Sequence, residues 1–202
     1  MFIRTLAAAA AAVAIASSAA RADEILDALA LAREYYEEGD IGAATEELRF
    51  ALEALQEKLA QELAATFPEP PEGWQAKPPE VRAGAGGIAG GIQIHREYRQ
   101  GAGNGRVVAQ LMVDNPIVQG LAAMLVNPQV LLAQPGARRI RLGGRRSAVL
   151  VFDETTGEGR VQLLAGRALV QLEGYGLQDA GIVERLLKSW DLERIRKLVP
   201  AG

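Results

Sequence analysis

GIQIHREYRQGAGNGRVVAQLMVD, residues 91–114, is the stretch that decides the fold. In it Ile92, Ile94 and Tyr98 alternate with polar residues, a turn-forming GAGNG follows, and a second apolar run comes after the turn. Alternation with a period of two is typical of half-buried strands, and a glycine-rich turn between two such runs indicates a hairpin. The segment therefore predicts two antiparallel strands.

The residues after this hairpin predict the rest of one α+β domain. Asn-Pro pairs at 115–116 and 127–128 are each typical of an N-cap followed by proline, which predicts two successive short helices. Strand patterns follow in ARRIRLGGRRSAVLVFD, GRVQLLAG and RALVQLEG, and a last helical pattern ends in SWDLERIRKL, where Ser189 or Asp191 is a candidate cap. The predicted order is β-β-α-β-β-β-β-α, and short turns between strands favour an antiparallel sheet with helices on one face.

The residues before the hairpin predict a pair of helices. Apolar residues recur at helical spacing over 24–38 and over about 42–66, and Gly39-Asp40 between them is expected to end the first helix. The second helix is longer, so its apolar residues Leu55, Leu59 and Leu63 extend past the first helix. They form a candidate apolar docking stripe, to be covered by the sheet domain, by a second copy of the chain or by a partner.

LAREYYEEGDIGAATEELRFAL, residues 31–52, resembles one tetratricopeptide unit. The matching positions are Leu31, Ala32, Tyr35, Gly39-Asp40, Ala44, Leu48 and Ala51. Ala28 stands where that family has tryptophan, and Gln56 stands where it has the closing proline. Because no second copy follows, the resemblance implies a helical hairpin and not a peptide-binding solenoid.

FPEPPEGWQAKPPE, residues 67–80, lies between the two patterns and carries five prolines. Its position favours a stiff polyproline connector over a ligand for an aromatic groove, and Trp74 is expected to be the first residue that packs on the sheet domain. The predicted organisation is a signal peptide, a helical hairpin, a Pro/Gly-rich connector and an antiparallel α+β domain, over residues 1–22, 23–66, 67–90 and 91–202.

The sheet-forming half is also similar to a group of uncharacterised exported proteobacterial proteins. The similarity lies in FPEPPEGW, in DNPIVQGLAAMLVNP and in LVQLEGYG together with WDLERIRKL. It implies an envelope location and this architecture, and it implies no activity.

The N-terminal residues are typical of a secretory signal peptide. Arg4 precedes an alanine-rich run, and Ala20-Arg21-Ala22 is a small-x-small site, so cleavage is expected after Ala22 and the protein is expected in the periplasm. No later segment has the roughly 18 uninterrupted apolar residues of a membrane span. The chain has no cysteine, which excludes disulfides and thiolate chemistry.

Charge and motifs argue against several classes of function. After residue 22 the chain has 20 basic and 25 acidic residues, and this acidic balance disfavours nucleic-acid binding. His95 is the single histidine, and Glu97 shares its strand face, but a zinc site needs three or four ligands. There is no GxSxG serine, and no spacing selects an opposed carboxylate pair. We therefore expect no enzyme activity, no cofactor and no metal.

The densest charge cluster surrounds a predicted Gly-Gly turn and consists of Arg138, Arg139, Arg141, Arg145 and Arg146. Arg139, Arg141, Arg145 and Arg146 are the candidate contacts for an anion or an acidic partner. Protection of an edge strand from aggregation is the alternative role.

These observations lead to two functional expectations. The first is a non-enzymatic periplasmic interaction or accessory protein for another envelope component, with self-association as a further option. The alternative is a carrier or sensor that binds a small apolar or anionic ligand between sheet and helix, lined by Leu121, Met124, Leu125 and Leu131. Core packing is the ordinary role of such residues.

Overall fold

The computed structural model describes residues 24–83, 91–114, 120, 128–143 and 146–200. They form two compact units, which divide between Lys58 and Leu59. The fold is α+β, with a helical pair before an antiparallel sheet of eight strands.

The helical pair confirms the sequence prediction closely. Helix α1 covers 24–38 and helix α2 covers Ile41–Ala64. Between them Gly39 has φ of +86°, a left-handed conformation that glycine adopts without a Cβ clash. The Asp40 carboxylate then accepts a hydrogen bond from the Ala43 N–H at 3.0 Å, which caps the first turn of α2.

The buried positions of this hairpin are mostly alanines, namely Ala28, Ala32, Ala44 and Ala51, together with Ile25. Small side chains let two helix backbones approach closely. The larger apolar residues of the same helices remain largely exposed, among them Leu48, Leu52 and Leu55. The hairpin is therefore closed by small residues and presents its large ones outward.

The second unit is built on the sheet, with three further described helices. The strands are β1 Trp74–Ala76, β2 Glu80–Arg82, β3 Ile92–Gln100, β4 Arg106–Val113, β5 Ala137–Arg141, β6 Ser147–Asp153, β7 Glu158–Ala165 and β8 Ala168–Tyr175. The helices are α3 Pro128–Leu132, α4 Gly181–Ser189 and α5 Leu192–Leu198. The Asp191 carboxylate accepts from the Arg194 N–H at 3.0 Å, so Asp191 is the cap of α5.

All strand pairings are antiparallel, and the order across the sheet is β1-β3-β4-β8-β7-β6-β5, with β2 also paired to β3. Strands β5 to β8 form a meander that ends in the middle of the sheet, where β8 pairs with β4. The predicted first helix of the β4–β5 connection, at 115–126, falls largely outside the described residues.

The proline-rich stretch differs from the connector that the sequence predicts. Its residues 74–76 and 80–82 form β1 and β2, which both pair with β3. Pro78-Pro79 separates them because proline has no N–H for a sheet ladder, which confines it to edges and interruptions. The stretch is therefore an interrupted edge strand, and Trp74 packs against the core as expected.

The two faces of the sheet differ in character. Alternate residues such as Ile94, Leu111, Val170 and Leu172 are fully buried on one side, which we call the core face. Helices α4 and α5 contribute their buried residues to the same core, for example Leu186 and Ile195.

A pair of glycines allows α4 to approach the core face. Gly159 and Gly174 are opposite each other on β7 and β8. A Cβ at Gly174 would lie 3.1 Å from Val183 Cγ2 and 2.3 Å from Leu177 Cδ1. Larger residues here would force the helix and the segment before it away from the sheet.

The C-terminal end of α2 belongs to this sheet unit. Leu63 and Ala60 are fully buried in its core, and the Phe67 ring lies 4.4 Å from the Trp190 ring between centroids. The boundary between the units therefore falls at Lys58 and not at residue 66, because the last apolar residues of α2 pack with the sheet.

Candidate functional site

The side of the sheet opposite the core carries a row of polar residues that are in register across the strands. We call this side the polar face. Glu80, His95, Gln110, Gln171, Gln162, Val149 and Arg139 succeed one another from β2 to β5. Its three central members, Gln110, Gln171 and Gln162, are neutral amides, so the middle of this row offers hydrogen bonds more than charge.

Neighbouring members of the row bond to each other. The Gln162 amide donates to the Gln171 side-chain oxygen at 2.9 Å, and His95 Nε2 lies 3.1 Å from a Glu80 carboxylate oxygen. These cross-strand pairs stabilise the sheet and fix the amide positions.

A second row is charged and aromatic. Arg160 on β7 and Glu173 on β8 are directly opposite, with Arg160 Nε 3.0 Å from Glu173 Oε1. The Tyr175 hydroxyl donates to Glu173 Oε2 at 2.9 Å. This hydrogen bond, together with burial, raises the pKa of Tyr175, so its hydroxyl remains a donor at neutral pH.

The two rows form part of a groove of about 420 Å³. Leu131 of α3 and Gln134 line it together with residues of three strands, namely Val149 and Val151 of β6, Arg160 and Gln162 of β7, and Glu173 and Tyr175 of β8. A volume of this size falls within the roughly 300–1,000 Å³ of small-molecule sites. Apolar valines beside the Gln162 amide and several charged side chains suit a molecule that is partly apolar and partly polar.

The carboxylates of the groove are distributed along its edge. Asp153 and Glu158 are opposite each other at the β6–β7 turn. The Thr155 and Thr156 N–H groups donate to Asp153 at 2.8 and 3.3 Å and lower its pKa. Within the described residues no group of three or more His, Asp and Glu side chains is placed to hold a metal ion.

The structure separates the predicted arginine cluster. Arg138 Nη2 lies 2.7 Å from a Glu184 carboxylate oxygen on α4, and Arg146 forms an ion pair with Glu193 on α5. Both therefore attach the edge of the sheet to the helices. Arg139 and Arg141 are exposed on the polar face of β5, and Arg145 lies outside the described residues.

Two of the three residues of the predicted apolar docking stripe are covered within this chain. Leu63 is fully buried in the sheet-unit core, and Leu59 packs against that core. The reason is that the sheet domain itself covers the end of α2, which was one of the three expected occupants. Leu55 remains exposed.

The residues proposed for an internal ligand site are only partly described. Leu131 lines the groove, which agrees with its expected place between sheet and helix. Leu121, Met124 and Leu125 lie outside the described residues. His95 and Glu97 do not act together, because His95 contacts Glu80 whereas Glu97 contacts Arg99.

Sequence reasoning missed a cross-strand arginine pair, Arg99 and Arg106, although a signal for it exists. The two residues enclose the six-residue segment 100–105 at the turn of the predicted hairpin, and the register of the hairpin places them opposite each other. The contact of Arg106 with Tyr175 had no such signal, because it depends on the pairing of β4 with β8.

Comparisons of this chain with known protein families, with curated proteins and with solved structures find no match. Its functional assignment therefore depends on its own geometry. Within the described part of the chain, no helix has both the length and the hydropathy that crossing a membrane requires.

Proposed function

We propose that the protein is a non-enzymatic interaction protein of the periplasm, whose helical hairpin binds a basic amphipathic helix of another envelope protein. The observation that carries this proposal is the outward placement of large apolar residues on an acidic hairpin. The signal-like N-terminal residues support the location, and intact-mass measurement of exported protein, with Asp23 expected as its first residue, tests it.

The apolar surface is a stripe along one side of α2. Ile41, Leu48, Leu52 and Leu55 are 57%, 52%, 55% and 46% exposed, and their spacing of seven, four and three residues places them on the same side of the helix. The stripe extends over about 21 Å at 1.5 Å per residue. Contiguous apolar surface of this kind is typical of an interaction site, whereas scattered exposed leucines are ordinary.

The charge of the hairpin specifies the kind of partner. Residues 24–58 carry ten acidic and three basic side chains, a net charge of −7, whereas residues 59–202 carry 14 acidic and 17 basic side chains, a net charge of +3. An apolar stripe among carboxylates is complementary to a helix with leucines on one side and Lys or Arg on the others. Such a helix buries both stripes and pairs its cations with the surrounding acids.

A binding experiment with a synthetic peptide tests this proposal. The probe is a leucine-lysine peptide patterned as an amphipathic helix, and its control is a scrambled peptide of the same composition. We expect the patterned peptide to bind more tightly, and the L48S/L52S/L55S variant to weaken its binding by about tenfold or more, since each buried leucine contributes about 1.5–3 kcal/mol.

Phe50 provides a matched control variant. It is 50% exposed on the same helix but lies on the opposite side of α2 from the stripe. We expect F50S to bind the peptide as the wild type does. Equal loss in F50S, or equal binding of the scrambled peptide, would show that the attraction is nonspecific and would contradict the proposal. Envelope proteins captured by the wild type and not by the triple variant are then the candidate partners.

The groove on the polar face favours a second candidate function, a carrier or sensor for a small molecule. Its volume of about 420 Å³ and its lining of Leu131, Val149 and Gln162, whose amide is held by Gln171, support this candidate. Native mass spectrometry of protein purified from the periplasm tests it. A retained small molecule that is lost in V149F, which fills the groove, supports the carrier function, and a retained molecule that V149F does not displace argues against this site.

A further inference from the structure

A second cavity, at the turn end of the β3–β4 hairpin, has a different electrostatic character from the groove. Its volume is about 430 Å³, and it is lined by Arg99, Gln100, Gly103, Asn104, Gly105, Arg106, Tyr175 and Gly176. Two of these described lining residues are arginines and none is acidic. We call it the arginine cavity.

The two arginines are close and share one carboxylate. Arg99 and Arg106 are directly opposite on β3 and β4, an arrangement of like charges that destabilises a sheet. Glu97 Oε1 accepts a hydrogen bond from Arg99 Nε, whereas Arg106 Nη1 lies 3.7 Å from Glu97 Oε2, too far for a hydrogen bond. The Arg99 hydrogen bond lowers the pKa of Glu97, which stays ionised. The three side chains together carry a net charge of +1.

Arg106 is held in place by an aromatic contact. The central carbon of its guanidinium lies 4.9 Å from the centroid of the Tyr175 ring. The Tyr175 hydroxyl is fixed by Glu173, which is itself fixed by Arg160. Stacking of this kind uses the face of the guanidinium and leaves N–H groups able to donate. The cation is therefore positioned before any ligand arrives.

The wall of the cavity is a glycine-rich turn that packs against the Gln100 side chain. Gly103 has φ of +150°, and a Cβ on it would lie 2.8 Å from Gln100 Oε1. A Cβ on Gly105 would lie 2.7 Å from the same atom and 3.1 Å from Trp74 Cη2. Gly103 is exposed and has no Cβ, so a ligand can approach the main chain at this position.

We propose that the arginine cavity binds a small molecule through an oxyanion, a phosphate or carboxylate group held by Arg99 and Arg106. The planar N–H fork of arginine matches both groups. The neutral amides of Gln100 and Asn104 then face the remainder of the ligand. This site lies in the sheet unit and is independent of the function proposed for the hairpin.

The test is a titration of the ¹⁵N-labelled full chain, followed at the arginine Nε–H resonances. The probes are sodium phosphate and sodium acetate, compared with sodium chloride at equal ionic strength. We expect Arg99 and Arg106 to shift and saturate with phosphate, acetate or both. R99Q and R106Q should each weaken binding by about tenfold or more, since each removes charge-assisted hydrogen bonds to the anion.

The control is R139Q/R141Q, which removes two arginines from the same face of the sheet at a distant strand. We expect it to bind as the wild type does. Equal shifts with chloride, or equal weakening in the control, would overturn the proposal. If R99Q or R106Q fails to fold, the wild-type resonances still distinguish a specific site from a general salt effect. A general salt effect shifts the resonances of Arg139 and Arg141 as much as those of Arg99 and Arg106.

Two further probes distinguish the source of the anion. Saturable binding of glycerol 3-phosphate that is lost in R106Q assigns the site to a soluble ligand. Sedimentation with phosphatidylglycerol vesicles but not with phosphatidylcholine vesicles, lost in R106Q and without binding of glycerol 3-phosphate, assigns it to a lipid headgroup. Absence of binding to phosphate, acetate, glycerol 3-phosphate and vesicles would refute the proposal.

Discussion

Tyr98 ties the proline-rich stretch to the sheet. It is fully buried on the core face of β3, and its hydroxyl donates to the Pro68 carbonyl oxygen at 2.7 Å. Arg96 donates to the same oxygen at 2.9 Å and to the Lys77 carbonyl at 3.0 Å. A proline has no backbone N–H to donate, but its carbonyl oxygen still accepts hydrogen bonds. The side chains of Tyr98 and Arg96 therefore hold the proline-rich stretch where strand pairing with β3 is interrupted.

The buried hydroxyl of Tyr98 predicts a loss of stability at high pH. Burial raises the pKa of Tyr98 to about 12, above the value of about 10 expected when the chain is unfolded. The folded state thus favours the protonated form, and this contribution is complete below pH 10. It decreases by up to about 1.4 kcal/mol per pH unit as the pH rises from 10 towards 12.

Tyr98→Phe removes the titrating group, and we expect the stability of this variant to fall less between pH 10 and 12 than that of the wild type. Urea unfolding followed by circular dichroism at each pH measures the difference. Tyr36→Phe, at an exposed position of the hairpin, is the matched control and should follow the wild type. If the unfolding free energy of all three proteins fell equally with pH, Tyr98 would not be the cause of the loss of stability.

Thr66 and Trp190 form a buried polar pair. The Trp190 indole N–H donates to Thr66 Oγ1 at 3.1 Å, and the Thr66 hydroxyl donates to the Leu63 carbonyl at 2.6 Å. Thr66→Val keeps the shape and leaves the indole N–H without its acceptor, which should cost about 1–3 kcal/mol of unfolding free energy. Because Trp190→Phe removes the donor, T66V should cost less in that background. Additive losses in urea unfolding would show that the pair is not coupled.

The two edges of the sheet are protected in different ways. One edge is interrupted by Pro78-Pro79, and the other is β5, which pairs with β6 and ends the strand order. Arg139 and Arg141 project from β5, and no ion pair of either is found among the described residues. Cations on an edge strand oppose pairing with a second sheet.

We expect R139T/R141T to keep its unfolding free energy within about 0.5 kcal/mol per substitution, as is usual for surface changes. It should nevertheless self-associate at lower protein concentration, because threonine favours strands and adds no charge repulsion. Concentration-dependent light scattering measures this. R185Q/R196Q removes two arginines from helices and serves as the control. If both double variants associate equally, net charge and not edge protection is responsible.

The helices and strands that the sequence predicts are those whose residues follow a regular local pattern. Strands β3 to β8 and the helical pair were predictable because alternation or helical spacing persists through each of them. Strands β1 and β2 were not, since each has three residues and prolines stand beside them. The position of β8 beside β4 also has no local signal, because it joins residues about sixty positions apart. The Arg99–Arg106 pair has a local signal, since both residues stand beside the turn of one predicted hairpin, whereas the groove depends on that long-range pairing.

Helix α2 is shared by two units that differ in charge and in packing. Its residues up to Lys58 belong to the acidic hairpin, and those from Leu59 belong to the sheet unit. Leu55 and Leu63 lie two turns apart on this helix, yet Leu55 is 46% exposed and Leu63 is fully buried. The same apolar periodicity therefore gives exposed apolar surface in one unit and core packing in the other.

Substitution of each of these two leucines separates the two roles of α2. Both tryptophans, Trp74 and Trp190, lie in the sheet unit, so tryptophan fluorescence reports its unfolding and not that of the hairpin. Leu63→Ala should lower the unfolding free energy measured by fluorescence by about 2–5 kcal/mol, because it leaves a cavity in a packed core. Leu55→Ala should change it by no more than about 0.5 kcal/mol, because alanine is a good helix former and the lost side chain was exposed.

Binding of the amphipathic peptide should respond in the opposite sense. Leu55→Ala should weaken the binding of the peptide. Leu63→Ala should leave peptide binding unchanged when it is measured at a temperature where this variant remains folded. Equal loss of stability in both variants would show that Leu55 is also buried in solution and would remove it from the proposed surface. The crossed result, with stability governed by Leu63 and binding by Leu55, requires one continuous helix to serve both as part of a core and as part of an exposed docking surface.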